Sequence, residues 1–365
     1  MQQTGLVSLP LHGGKCPRWL FPRMIKLSKE IATLIINEYG TAEFLQRISD
    51  PFFFQSLSCV IGFDWHSSGV TTTTCGALKE ALSAEEHGII VCGGKGRMSR
   101  KVPDEIIAGA YKFNLQTRIT NNLVRASKMS AKVDTALVQD GYQLYHHTFF
   151  IDEKGNWAVV QQGMNDGNGY ARRYHWLSDN VHSFVEEPHS AICCDARTEN
   201  TLNMTAKEAF QARKASIDAV KDGILLRRQS TLSEFFGKTR KIAMPSRHAL
   251  HFEDLSAQSQ NALRRAYDLQ PKNYEELVAL QGIGPKTIRA LALVSELVYG
   301  APASWKDPAK YSFAHGGKDG WPYRINQQQY DKTIEILKGA IADARLGEKE
   351  KAGAIRRLSA FIRTD

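Results

Sequence analysis

Two histidines and two glutamines flank the clearest β-hairpin that the sequence predicts. His146 and His147 precede the predicted turn at residues 152–155, and Gln161 and Gln162 follow it at similar distances. Directly opposed residues of antiparallel strands are neighbours, so His147 and Gln161 are predicted to lie side by side. Successive residues face opposite sides of a sheet, so only one member of each adjacent pair can serve a given site.

Aspartates and lysines near this hairpin could complete a phosphodiesterase site. Hydrolysis of a phosphodiester at neutral pH generally uses a divalent cation held by carboxylate and imidazole groups, with another positive charge near the scissile phosphate. Hydrogen-bonded core histidines are the competing interpretation. The predicted site has Asp134, Asp140 and His147 as ligands of Mg²⁺ or Mn²⁺, Gln161 completing or orienting them, and Lys132 or Lys95 stabilising the transition state.

Other polar groups are candidates for a general base or a second metal site. Asp64 and His66 are two residues apart in a loop-like stretch, and both can reach one metal ion, or Asp64 can orient His66. A turn that caps the following helix is the alternative. His12 precedes two glycines and a lysine, a composition typical of an anion-binding loop. His146 belongs to the same group of candidates.

A glycine-containing turn in the last third of the chain predicts contact with the DNA backbone. Two short apolar-periodic segments flank Gly-Ile-Gly-Pro at residues 282–285. Glycine permits the turn, proline suits the start of the second helix, and the N–H groups there can bind a phosphate. The pattern resembles a helix-hairpin-helix motif, although an ordinary corner between core helices has the same spacing. The candidate DNA contacts are Gly282, Ile283, Gly284, Lys286, Thr287 and Arg289.

A second candidate DNA contact begins at Arg172. Arg172 and Arg173 are followed by a tyrosine, a histidine and a tryptophan. Cations bind phosphates and rings stack on bases, a combination found on single-strand-binding surfaces. A solvated basic loop has the same composition, so both interpretations stay open.

Composition favours a polyanionic partner and a cytoplasmic location. The 365 residues include 47 Lys and Arg against 38 Asp and Glu, with a formal net charge of +9. No apolar run approaches the roughly 20 residues of a membrane helix, and the start lacks the features of a signal peptide. The six cysteines form no CxxC pair, so reduced thiols are expected. The lack of a membrane-length apolar run predicts no membrane association. An apolar helix over residues 24–39 suits a homodimer interface as well as a core.

The predicted fold class is α+β. Residues 1–200 are predicted to form a mixed α/β catalytic domain with the β-hairpin, and residues 201–250 a helical connector and basic linker. Residues 251–345 are predicted to form an all-α helix-hairpin-helix DNA-binding domain, and residues 346–365 a basic tail helix.

Long stretches resemble one prokaryotic family. They are TGLVSLPLHGGKCPRWLFPRM, SDPFFFQSLSCVIGFDWHSSGVTTT, CGGKGRMSRKVPDEI, AKVDTALVQDGYQLYHHTFFIDEKGNWAVVQQGMN, ARRYHWLSDNVHSF and YSFAHGGKDGWPYRI. The resemblance is to the domain of unknown function 763 and runs from Thr4 to about Arg357. It implies a link to DNA through the helix-hairpin-helix, and a metal-dependent nuclease activity. It brings no established catalytic residues, and the glycine-rich residues 166–169 depart from the pattern.

Three functions are compatible with these observations. The first is a metal-dependent DNA nuclease of repair or processing that grips single- or double-stranded DNA without sequence specificity. The second is a DNA glycosylase/lyase with Lys286 as nucleophile and Asp307 as its carboxylate, although the strong β-hairpin upstream does not suit an all-α glycosylase. The third is a non-catalytic DNA-binding protein in which the polar clusters are structural.

Overall fold

The computed structural model describes residues 9, 11, 16–62, 68–194, 198–224, 256–309, 327–344 and 347–362. The predictions made for His12, Asp64 and His66 lie outside the described residues, as does most of the predicted linker. Within the described part of the chain, no helix is long and apolar enough to cross a membrane. All six cysteines are free thiols, as the sequence predicts.

Helices form the first described part of the chain. The first helix changes direction at Gly40, whose φ of +86° is not helical. The next begins after Asp50, whose carboxylate accepts hydrogen bonds from the N–H groups of Phe52 (2.7 Å) and Phe53 (3.2 Å) and so caps the helix. These helices are α1 (Phe21–Ser49), α2 (Pro51–Ile61), α3 (Gly69–Ala81) and α4 (Ala84–His87).

An antiparallel sheet lies at the centre of the described structure. The strands are β1 (Ile89–Lys95), β2 (Val138–Gln139), β3 (Gln143–Asp152), β4 (Trp157–Asn165), β5 (Tyr170–Leu177), β6 (Ala191–Cys193) and β7 (Leu202–Asn203). Five of them form the main sheet in the order β1-β3-β4-β5-β6, with every neighbouring pair antiparallel. Strands β2 and β7 form a separate two-stranded ladder.

The predicted β-hairpin is confirmed as β3 and β4. Its turn is held by Asp152, whose Oδ1 accepts hydrogen bonds from the backbone N–H groups of Lys154 (3.0 Å) and Asn156 (2.8 Å). The register pairs His147 with Gln161, as the spacing predicts. Because side chains alternate, His147 faces one side of the sheet and its neighbour in sequence faces the other.

The remaining helices follow β1 and the hairpin. A 3-10 turn (Gly96–Lys101) connects β1 to the next helix. The sequence predicts a long helical connector after residue 203, whereas the described helix there ends at Lys221. The helices are α5 (Val102–Lys112), α6 (Thr117–Ala136), α7 (Phe210–Lys221), α8 (Ala257–Leu269), α9 (Tyr274–Ala279), α10 (Pro285–Tyr299), α11 (Gln327–Asp343) and α12 (Glu348–Ile362).

Two hydrophobic clusters cover the two faces of the sheet. Phe149 of β3 belongs to the first cluster and Phe150 to the second, as strand alternation requires. The first cluster also contains Val133 of α6 and Ile288 of α10, and the second contains residues of α1 to α3 together with Leu337 of α11. The fold is therefore mixed α/β with an antiparallel sheet, and each cluster joins early and late parts of the chain. The domain boundaries stay a prediction.

Candidate functional site

A chain of hydrogen bonds links α6 to strands β3 and β4. The Gln161 amide donates to Asp134 Oδ2 (2.6 Å), and its carbonyl oxygen accepts from His147 Nδ1 (2.9 Å). His147 Nε2 therefore accepts from the Ser127 hydroxyl (2.9 Å). Burial lowers the pKa of His147 to about 4, so the ring is neutral near pH 7. The fold thus brings together three of the predicted site residues, Asp134, His147 and Gln161.

Asp134 accepts two further hydrogen bonds that the sequence does not predict. Trp176 Nε1 donates to Oδ2 (3.0 Å), and His189 Nε2 donates to Oδ1. Burial raises the pKa of Asp134, while the neighbouring His189 ring opposes that shift. His189 is 55 residues from Asp134 in sequence and stands in no motif, so no sequence signal could have linked them.

These residues do not fit the predicted metal site. Both carboxylate oxygens of Asp134 and both ring nitrogens of His147 already form hydrogen bonds with protein groups. Asp140, the third predicted ligand, belongs to a different cluster. Mg²⁺ and Mn²⁺ prefer several oxygen ligands that are free to face the ion. Across the described ranges, no group of three or more His, Cys, Asp or Glu side chains is arranged to hold a metal ion.

The hydrogen-bond order Ser127–His147–Gln161–Asp134 resembles that of a nucleophilic triad. In such a triad the hydroxyl must face a substrate. Ser127 lies in the middle of α6 and is only 3% exposed. A substrate cannot reach its Oγ in this conformation, so the chain of hydrogen bonds serves to fix α6 on the sheet.

Arg172 forms buried ion pairs with two aspartates from distant parts of the chain. Its Nη1 lies 2.8 Å from Asp140 Oδ2, and its Nη2 lies 2.7 Å from Asp307 Oδ2. The Tyr174 hydroxyl also donates to Asp140 (2.8 Å), and the Thr198 N–H donates to Asp307 (2.7 Å). Arg172 is fully buried, so the prediction that it contacts DNA is wrong for this conformation. Asp140 and Asp307 neutralise this cation, which accounts for both carboxylates without a metal or glycosylase role.

Arg173 lies on the opposite face of β5 and is equally enclosed. Its guanidinium donates to Gln55 Oε1 (3.0 Å) and Thr71 Oγ1 (3.3 Å) and stacks on the Phe54 ring. Burial lowers the pKa of Arg173 to about 10. His146 faces the same side, and burial lowers its pKa to about 3. The proposed roles of Arg173 as a DNA contact and His146 as a general base both need access to solvent, which neither has.

The two lysines predicted to face phosphate lie in different surroundings. Lys95 is exposed at the end of β1, where its Nζ lies 5.7 Å from the centre of the Tyr145 ring. Lys132 instead donates to the carbonyl oxygen of Leu280, in the loop between α9 and α10. Burial lowers the pKa of Lys132 to about 8. Lys132 therefore holds the predicted DNA-binding turn, and its ammonium group is not directed at the cluster around His147.

The loop between α9 and α10 has the shape that its glycines predict. Gly282 has a φ of +90°, and a Cβ there would lie 2.9 Å from the Ala262 Cβ. Ile283 is buried between the helices. Gly284 has extended backbone at the start of α10, and a Cβ there would meet no described atom within 4 Å. The chain thus forms a helix, a hairpin and a second helix, with open space beside Gly284.

Three side chains from other elements hold the carbonyl groups of this hairpin. They come from α6, from β2 and from α8, and each donates to a different main-chain oxygen. The pairs are Lys132 with Leu280, Arg265 with Gln281 (3.0 Å), and Gln139 with Pro285 (2.9 Å). The Gly-Ile-Gly-Pro sequence itself does not predict any of these three donors.

The six predicted DNA contacts divide into surface and buried residues. Gly282, Gly284 and Lys286 are partly exposed. Thr287 and Arg289 are buried, and burial lowers the pKa of Arg289 to about 10. Thr287 and Arg289, like Ile283, are therefore too buried to contact a phosphate directly, contrary to the prediction.

The antiparallel sheet and the helices that cover it define a mixed α/β protein, in which the loop between α9 and α10 is held by Lys132 of α6. The match of residues 5–325 to the family model described as "Protein of unknown function (DUF763)" shows that the chain belongs to that family. No curated protein and no solved structure matches the chain.

Proposed function

We propose that this protein binds the DNA backbone, without reading base sequence, through the hairpin between α9 and α10. The observation that carries the proposal is the anchored loop: its carbonyl groups are held by Lys132, Gln139 and Arg265, and the space beside Gly284 is open. The first N–H groups of a helix have no acceptor within that helix. They and the helix dipole favour an anion at this position.

Charge around the hairpin supports the same proposal. Lys286 follows Gly284 in the first turn of α10 and is partly exposed. Arg265 of α8 donates to the Gln281 carbonyl of the loop, and its neighbour in sequence, Arg264, is exposed. Phosphates are the same for every base sequence, so amide groups and cations of this kind bind DNA without sequence preference.

Cleavage of the bound DNA stays a prediction. The described candidates for metal ligands, Asp134, Asp140 and His147, form hydrogen bonds and ion pairs with other protein groups. The other candidates, His12, Asp64 and His66, lie outside the described residues. The proposed binding function does not depend on cleavage.

The experiment compares two substitutions at Gly284. Asp and Asn are both good N-cap residues and suit the extended backbone there, so Gly284→Asp and Gly284→Asn are expected to fold as stably as the wild type. Only aspartate adds a negative charge where the phosphate would lie. Fluorescence anisotropy with labelled duplexes of unrelated sequence, and with a single strand, measures the affinities.

We expect the wild type to bind the unrelated duplexes with similar affinity, and binding to weaken steeply as salt rises. Gly284→Asp should lose at least about tenfold more affinity than Gly284→Asn, corresponding to about 1.4 kcal/mol. Equal affinity of both variants and the wild type would refute the proposal, as would a wild type that binds no DNA.

A further inference from the structure

The connection between β1 and α5 presents a second positively charged surface. Four cations lie within seven residues of the chain and are all exposed. In the described structure, none of the four forms an ion pair with a carboxylate, whereas the nearby Lys79 is paired with Glu105 (2.7 Å). We call this surface the basic turn, and its cations are Lys95, Arg97, Arg100 and Lys101.

Glycines give the basic turn its shape. Gly93, Gly94 and Gly96 have φ values of +92°, +134° and +61°, which other residues rarely adopt. A Cβ on Gly93 would lie 2.2 Å from the carbonyl oxygen of His147, so the close approach to β3 also requires glycine. Glycine is therefore required at the end of β1, directly before Lys95.

A partly buried ion pair between Lys79 and Glu105 holds the turn in place. The Glu105 carboxylate accepts a hydrogen bond from the Gly93 N–H (2.6 Å), and Lys79 donates to the Gly93 carbonyl (3.0 Å). The Ser99 hydroxyl donates to the Gly96 carbonyl (2.6 Å). Four positive charges without carboxylate partners among the described residues repel one another, so holding them close together costs free energy. A bound anion would offset this repulsion.

The basic turn and the hairpin are joined through α6. Gly94 pairs with His147 in the sheet, His147 binds Ser127 of α6, and Lys132 of the same helix holds the hairpin loop. Ser127 and Lys132 are five positions apart, which corresponds to only about 7.5 Å along the helix. Both surfaces therefore belong to one body and keep a fixed separation.

We infer that the basic turn is a second binding site for the phosphodiester backbone of DNA, separate from the hairpin. The inference rests on the proposed function, because it takes DNA as the polyanion. Each lysine or arginine that neutralises a phosphate releases counterions, so the site contributes to affinity and to its salt dependence. Neutralising the turn should weaken binding on every sequence.

The experiment uses two variants that each lose four positive charges. The turn variant carries Lys95→Gln, Arg97→Gln, Arg100→Gln and Lys101→Gln. The control variant carries Lys26→Gln, Lys29→Gln, Lys112→Gln and Lys306→Gln, which replace exposed lysines that are each ion-paired with a glutamate. Circular dichroism checks folding, and duplex affinity is measured by anisotropy over a series of salt concentrations.

For the turn variant we expect the slope of log K against log salt to fall in magnitude by about 1.8 to 3.6, equivalent to two to four lost phosphate contacts. The control should keep most of the wild-type slope. Equal slopes in the two variants, or a turn variant that binds like the wild type, would overturn the inference.

Gly284→Asp separates this inference from the proposed function. If the turn variant loses slope while Gly284→Asp binds normally, the second site stands and the hairpin proposal fails. If Gly284→Asp loses affinity and the turn variant does not, the hairpin proposal stands and the second site fails. A wild type that binds no DNA refutes both.

Discussion

Replacing Gly282 by alanine should destabilise the protein, whereas the same change at Gly284 should not. Gly282 has a φ of +90°, and left-handed backbone costs a residue with a Cβ about 1–2 kcal/mol. The new methyl group would lie 2.9 Å from Ala262 Cβ and 3.2 Å from Arg265 Nη2. Overpacking of this kind costs about 1–3 kcal/mol. The expected loss for Gly282→Ala is therefore about 2–5 kcal/mol.

Gly284 is the matched control because it lies two residues away in the same loop. Its backbone is extended, and a Cβ there meets no described atom within 4 Å. Alanine is a poorer N-cap than glycine, so we expect Gly284→Ala to cost about 1 kcal/mol or less. Urea unfolding followed by circular dichroism gives the free energy of unfolding for each variant.

A third substitution separates the two causes at Gly282. Ala262→Gly removes the methyl group that the new Cβ would meet, and by itself costs about 1 kcal/mol because glycine weakens a helix interior. Combined with Gly282→Ala, it should recover the overpacking part of the loss but not the backbone part. The reasoning is refuted if Gly282→Ala and Gly284→Ala unfold at the same urea concentration.

Further predictions concern the buried groups and the proposed cleavage. Arg172→Met leaves Asp140 and Asp307 buried without their cation and should cost about 3–5 kcal/mol in urea unfolding; a loss below about 1 kcal/mol would contradict the ion-pair argument. Burial lowers the pKa of His146 from 6.5 to about 3, so the unfolded chain takes up a proton first and stability falls as pH drops from 6.5 towards 3. His146→Gln should therefore reduce the pH slope of stability by about 1.4 kcal/mol per unit in this window, and an unchanged slope would show that the ring is not held neutral. Metal-dependent nuclease activity predicts nicked or linear plasmid with Mg²⁺ or Mn²⁺ and intact plasmid with EDTA, whereas a protein that only binds DNA leaves the plasmid intact in both.

Local patterns in the sequence predicted the elements that depend on neighbouring residues. The turn that Asp152 organises fixes the register of the β-hairpin, so the pairing of His147 with Gln161 could be predicted by counting. The hairpin between α9 and α10 was equally predictable, since Gly282 and Gly284 have separate and specific backbone roles. In both cases the information lies within a few residues of the feature.

Contacts between distant parts of the chain could not be predicted in this way. Lys132 and Leu280 are 148 residues apart, and Arg172 and Asp307 are 135 apart, and no periodicity relates such pairs. An arginine next to aromatic residues has the same local appearance whether it faces DNA or a buried carboxylate. The sequence around Arg172 therefore favours a surface position, and only its ion pairs with Asp140 and Asp307 show that it is buried.

The anchoring of the hairpin also limits how it can be transferred to another protein. Residues 256–309 cut out of the chain would lose Lys132 and Gln139, the donors that hold two of the loop carbonyl groups, and would expose the face of α10 that contains Ile288. Such a fragment is a poor building block for a fusion protein. In the whole chain, by contrast, a ligand that binds only the folded hairpin also stabilises the sheet to which α6 is fixed. Ligand binding at the hairpin could then be detected as increased resistance of the α/β part to heat and proteolysis.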